Sequence, residues 1–348
     1  MVAAAPNVTP AVAAAPTAPA RPEHNRPEHN RTGINYRRPY PRPFIKGRFI
    51  DAHCHLLANR HADLWFEVAD HFGIDTFFSM GPLDETLTLQ RRYGHRLHFI
   101  AVPNWSQLDQ PDLIGRWLRT IESFHNLGSR IAKLHMAPAT LKRINRTFDD
   151  DGIRTILTDI SGRGMAIMTH VGDPETWYSG KYASEGTHGT RDQHYAAWER
   201  ALEDFRGTPW LGAHLGGNPE DLPRLQSLLD RFPDLVLDLS ATRWIVREVS
   251  QRRDEAREFI LRNQNRLLWG SDQVSGDGRD WDFLASRWWA HRKLWETGYA
   301  DTSPIYDPDL PPESQPRLNG LALPDAVLQK LYHDNAVRLL ARVGVTLA

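Results

Sequence analysis

The chain of 348 residues carries 42 Lys plus Arg against 43 Asp plus Glu, a formal charge of -1 at neutral pH, and 41% of its residues are apolar. This balance, without a basic run, excludes the long-range field of a nucleic-acid binder, and the apolar share excludes a disordered majority. No apolar run reaches the roughly 20 residues that span a bilayer, so no membrane partner is expected, and the single cysteine, Cys54, allows no intrachain disulfide, which suits a cytoplasmic setting.

Residues 1–44 are rich in Ala and Pro, with few large apolar side chains, and they contain Arg-Pro-Glu-His-Asn twice, at Arg21 to Asn25 and Arg26 to Asn30. Such a stretch buries too little surface to offset its ordering entropy and is expected to be a disordered or loosely draped tail. It has no basic start, and Pro6, Pro10 and Pro16 interrupt its apolar stretch, so it does not read as a signal peptide. His24 and His29, beside Glu23 and Glu28, read as a solvated duplication rather than a metal tract.

Residues 45–348 are expected to form one domain. Eight short apolar runs follow one another: Phe49 to His53, Asp75 to Ser79, His98 to Val102, Ile131 to His135, Met165 to His170, Trp210 to His214, Leu235 to Leu239 and Arg266 to Gly270. Each is too short for a helix and is followed by a stretch long enough for a crossover, such as Asp221 to Phe232 with Leu222, Leu225, Leu228 and Leu229 at helical spacing. Eight such units predict a single (β/α)8 TIM barrel. A helical extension follows, in which Trp281, Trp288, Trp289 and Trp295 are expected to pack on the barrel, although the same aromatic face would suit a homo-oligomer contact. Leu323 to Leu340 closes the chain as a helix, with Pro324 at its start and Leu328, Leu331 and Val337 on its buried face.

Asp51-Ala52-His53-Cys54-His55 ends the first run. Alternation along a strand puts Asp51, His53 and His55 on one face and Cys54 on the other, so two imidazoles converge, which is half a metal site. His170, His214 and Asp272 lie at or just past later strand ends, where barrels carry their chemistry. Lys133 and His135 share a face at the end of the fourth run. Past His170, Asp173 and Glu175 read as a helix start rather than as groups orienting a ligand, and Trp177 to Tyr182 with His188 and His194 reads equally as a substrate lid or a packed connector.

This order of residues, together with Gly212 to Gly217, Leu237-Asp238-Leu239-Ser240, Gly270-Ser271-Asp272 and Asp334 to Leu340, resembles the amidohydrolase superfamily and in particular its amidohydrolase-2 branch, which includes hydrolases, lactonases and nonoxidative decarboxylases. The resemblance implies one divalent ion, zinc or else manganese, held by His53, His55, His170 and Asp272, with His214 facing a small-molecule substrate. In other branches a strand-four lysine is carboxylated and bridges two metals; here Lys133 is expected to be a substrate-binding cation or a barrel residue paired with an acid. The activity implied is hydrolysis of an amide, lactone or ester, with Asp272 as the proton carrier and His214 polarising the carbonyl. The alternatives are nonoxidative decarboxylation of an aromatic or enoic acid, for which Arg60, Lys133, Lys181, Arg191 and Arg243 are candidate carboxylate partners, and a barrel that binds metal without turnover.

Overall fold

The structure, a computed structural model, describes residues 29–183 and 189–347. Its strands are β1 (Ile50–His55), β2 (Thr76–Met80), β3 (Leu97–Ala101), β4 (Ile131–His135), β5 (Ala166–His170), β6 (Trp210–Gly212), β7 (Leu235–Asp238), β8 (Leu267–Leu268) and β9 (Gln273–Val274). They pair in parallel in the order β8-β7-β6-β5-β4-β3-β2-β1-β9. β8 and β9 are two halves of one interrupted strand, the first bonded to β7 and the second to β1, and Ala52 N donates to Trp269 O at 3.0 Å across the seam. The sheet therefore closes into the eight-stranded barrel expected from the alternation of runs and crossovers.

Two apolar layers hold it. Ile50, Ala52, Phe78, Ile100, Ile131, Met168, Leu211 and Leu268 fill the interior, and Ala336, Leu339 and Leu340 of the closing helix pack onto them. The outer layer joins the other strand faces to the helices. A bulge between Asp51 and Cys54 shifts the alternation within β1. Ile50 and Ala52 pack inside, His53 and His55 still share a face, and Asp51 is turned away towards Trp288, whose indole Nε1 donates to it at 3.3 Å. Simple alternation thus places His53 and His55 correctly and Asp51 wrongly.

Trp288 and Trp295 are fully buried, and Trp281 and Trp289 nearly so, within the helix Trp281–Glu296 packed on the barrel. The closing helix contains a π turn, Lys330–Asp334, between Asp325–Gln329 and Asn335–Arg342. This extra residue rotates the last segment, so Ala336, Leu339 and Leu340 face inward while Val337 is only half-buried.

Residues 29–44 are laid against the barrel. Tyr36 is buried and its hydroxyl donates to His29 O at 2.9 Å, His71 Nε2 donates to Tyr36 O at 2.9 Å, and Arg292 donates to Pro41 O at 2.6 Å. The order absent from the segment's own composition comes from partners far along the chain. The rest of the predicted tail, residues 1–28, including His24, lies outside the described residues.

The helix Arg191–Asp204 after β5 begins with a capping box in which Thr190 and Gln193 bond each other's backbone N–H. Thr190→Ala is expected to cost about 1 kcal/mol of stability, read as a lower urea midpoint with an unchanged slope.

Candidate metal centre

The interrupted strand builds one side of the site. Asp272 has left-handed backbone geometry (φ 53°), a conformation worth about 1–3 kcal/mol of strain for a residue with a Cβ. It is held there by Asp272 N donating to His53 O at 2.7 Å, and by Asp51, which accepts from Ser271 N at 2.9 Å and Ser271 Oγ at 2.5 Å. Gly270 lets the backbone pass, since a Cβ there would stand 2.8 Å from His53 Cβ. The other side is β6, which stops at Gly212. His214, expected to end the strand, and Leu215 after it are left-handed (φ 57° and 51°), and this turn aims the His214 ring back over the barrel. Gly217 then packs on Gly172 so closely that a Cβ would lie 2.6 Å from its backbone.

His53 is fully buried and Asp238 fixes its proton: Nδ1 donates to Asp238 Oδ2 at 2.9 Å. Nε2 is therefore a bare lone pair, and it lies 3.3 Å from Asp272 Oδ1. Two acceptors facing each other in a buried site call for a cation between them. Lys133 supplies part of that charge, donating from Nζ to His53 Nε2 at 2.9 Å. His55 Nε2 approaches the same Asp272 Oδ1 at 3.1 Å. Zinc–ligand distances of about 2.0–2.1 Å put neighbouring ligand atoms roughly 2.9–3.4 Å apart, so the two approaches to Asp272 match the spacing around a divalent ion, and His53, His55 and Asp272 form one of the groups able to hold it.

The electrostatics suit the same use. Burial, then the Lys133 charge, lowers His53 to about 4 against the pull of Asp238, so the ring is neutral at pH 7. Burial pushes the Asp272 carboxyl up, but the His55 hydrogen bond and the neighbouring His53 and His214 rings outweigh it and hold the group well below the usual carboxylate range. Burial also lowers Lys133, opposed by Asp272 and Asp238, and it lowers His214 strongly, reinforced by His170.

His170 ends β5 beside His135 and His214. Its Nε2 donates to Gly172 O at 3.0 Å and to Asp173 Oδ1 at 3.1 Å, which leaves only Nδ1 for an ion, and its ring lies 4.5 Å from that of His214 and 4.4 Å from that of His135. Asp173, expected to start a helix, is thus the carboxylate that orients His170, and Tyr182 also donates to it. Lys133 is buried, at 2% exposure, against His53. Among the other candidate cations, Arg60 pairs with exposed Asp277, Lys181 sits over the Trp177 ring, and Arg191 bonds Asn218 and Asp173 O; Arg243 alone reaches the cavity above the site. Tyr178 donates to His194 at 2.9 Å, so this part of the loop after β5 is packed; His188 lies outside the described residues.

Asp238 and Ser240 had no role from sequence alone. Asp238 accepts from His53 Nδ1, from His214 N at 2.9 Å and from Ser240 N at 3.0 Å, and Ser240 Oγ lies 2.9 Å from His53 Nδ1 and 2.7 Å from His214 Nδ1. His53, His214 and Asp238 also lie close enough to form a ligand group. Their facing atoms are already joined by hydrogen bonds, so they act as the support of the centre. Asp238→Asn should weaken metal affinity about 10–100-fold, measured by competition with a chelator; an unchanged affinity would remove Asp238 from this role.

A family model described as Amidohydrolase matches residues 48–342. The chain belongs to the amidohydrolase family. No curated protein sequence matches this amidohydrolase. Its fold is similar to that of a TIM-barrel protein from Bordetella bronchiseptica, at 16% identity over 86% of this chain and 100% of the other, with a TM-score of 0.53. It is also similar to a Pseudomonas putida protein proposed to be a 2-pyrone-4,6-dicarboxylic acid hydrolase (14% identity, 84% and 97% covered, TM-score 0.52). A third similar fold is a Burkholderia multivorans amidohydrolase crystallised with zinc (15%, 85% and 99%, TM-score 0.51). No helix among the described residues of this amidohydrolase is long and apolar enough to cross a membrane.

Proposed function

We propose that this amidohydrolase is a metal-dependent hydrolase of a small-molecule amide, lactone or ester. The observation that carries the reading is the proton-free His53 Nε2, bonded among the described residues only by Lys133, facing the Asp272 carboxylate at 3.3 Å, with His55 alongside. His53, His55 and Asp272 would hold the ion, with His170 Nδ1 as the fourth donor. When bound there, a divalent ion, zinc or manganese, supplies positive charge that acidifies water and polarises a carbonyl.

Asp272, ionised at neutral pH, takes a proton from the attacking water and returns it to the leaving group. His214 lines the cavity next to Asp272. Ser240 Oγ donates to Asp238 Oδ1 and lies 2.7 Å from His214 Nδ1; turning that proton from Asp238 to Nδ1 would place the ring hydrogen on Nε2, where it can donate to the carbonyl oxygen as charge develops. Lys133 Nζ, which donates to His53 Nε2, would give up that lone pair to the ion and turn its positive charge to the carbonyl from below.

Metal analysis of the purified chain, coupled to a screen of lactones, esters and amides, tests this. About one equivalent of metal and release of the ring-opened or cleaved acid are expected. Release of CO2 from an aromatic acid would reassign the site to a carboxy-lyase. Two equivalents would revive a carboxylated Lys133, and bound metal without turnover across the screen would leave a non-catalytic barrel.

A further inference from the structure

The cavity above the centre, about 260 Å³, is lined by His170, His214 and Asp272 at its floor and by Arg243, Arg279 and Arg287 on its wall. The three arginines come from different places: Arg243 from the start of the helix Thr242–Gln251 after β7, Arg279 from the loop after β9, and Arg287 from the helix Trp281–Glu296. Arg279 and Arg287 both stack on Phe283, with guanidinium carbons 4.2 and 3.5 Å from the ring centroid, which fixes their planes.

None of the three forms an ion pair with a carboxylate among the described residues; Arg287 donates only to Phe283 O at 3.2 Å and Ser286 Oγ at 3.3 Å. The acids of the same cavity are engaged elsewhere, Asp173 by His170, Asp272 by His55 and Asp309 by Arg247 at 3.7 Å. Among the described residues the three guanidinium groups on the wall are therefore without a carboxylate bonded to them, while the acids of the cavity point to other partners. Burial, then the neighbouring Arg243 and Arg279, pushes Arg287 down to about 9, the mark of a cation held among like charges, although it stays charged at neutral pH. Arg279 is lowered in the same way, by burial and by Arg243. Like charges this close are costly to keep together unless an anion joins them.

We propose that Arg243, Arg279 and Arg287 form an anion subsite facing the metal centre, so that the substrate is a ring-sized acid bearing a carboxylate away from the bond that is cleaved. The cleaved bond rests on the hydrolase reading; the acid does not. Guanidinium groups bind carboxylates through paired N–H donors, and three of them around one small cavity suit a carboxylate better than any neutral group. The substrate then spans the cavity, its carboxylate on the arginine wall and its carbonyl towards Asp272.

Isothermal titration calorimetry of the full chain with benzene-1,3-dicarboxylate and its neutral diamide tests the subsite. The dicarboxylate is expected to bind at least about tenfold more tightly than the diamide, and Arg243→Gln and Arg279→Gln each to weaken it about tenfold without changing metal content or diamide binding. Arg243 is exposed, so that variant does not threaten the fold. A His55→Ala variant deficient in metal should keep most of the dicarboxylate affinity. Equal binding of acid and diamide, undiminished binding by both arginine variants, no binding of the dicarboxylate, or binding that disappears with the metal would each overturn the subsite. If instead the chain holds no metal and hydrolyses nothing while the arginine-dependent binding persists, the hydrolase reading fails and the subsite stands.

Discussion

Asp272→Asn is expected to lower turnover by at least about a thousandfold, within the range lost when a positioned proton carrier is removed. The amide keeps the size of the carboxylate and its left-handed backbone position, which Asn tolerates, so the effect should not come from unfolding. It removes the negative charge that faces His53 Nε2 and His55 Nε2, at 3.3 and 3.1 Å. Steady-state kinetics and metal analysis on the same sample separate the two roles given to this residue. Full metal content with lost turnover would make Asp272 chiefly the proton carrier, and lost metal would make it chiefly a ligand. Turnover within about tenfold of the wild type would exclude both.

The barrel was legible because strand and crossover differ in period and length, and each of the eight runs holds a strand. The His53 and His55 pair was legible because a two-residue period fixes the shared face of neighbours. What lay beyond reach has one physical character: contacts set by chain irregularities. The bulge in β1 turns Asp51 outward to Ser271 and Trp288, and no alternation pattern contains a bulge. The left-handed turns at His214 and Asp272 fall on residues with a Cβ, where a glycine signal is missing. Asp238 is 185 residues from the His53 it orients, so only the closed barrel joins them. Arg287 sits in a helix whose tryptophans announced packing, and its place on the cavity wall depends on which turn of that helix reaches the mouth. The 29–44 segment gains its order from partners such as His71 and Arg292, which composition cannot register.

The largest loss of stability is expected from Arg247→Met. Arg247 is 1% exposed and donates from Nε to Glu248 at 2.7 Å and from a terminal nitrogen to Asp307 at 2.6 Å, and both acids are themselves buried. Burial alone would lower its hold on the proton, but the Glu248 hydrogen bond and the Asp307 charge raise it above the ordinary arginine value. Methionine fills much of the volume and leaves Asp307 without its cation, a loss of about 3–5 kcal/mol for breaking a buried pair from one side. Arg252 still reaches Glu248 at 2.8 Å, so the uncompensated charge falls on Asp307. Adding Asp307→Leu should then restore a substantial part of the loss, since the second substitution removes the stranded carboxylate. Urea unfolding of the two variants decides it: a single-variant loss below about 1 kcal/mol, or no recovery in the double variant, would mean that the pair does not hold this rim. The rim matters to function because Arg247 also reaches Asp309, which lines the cavity above the metal centre, so a loosened loop would change what that cavity can hold.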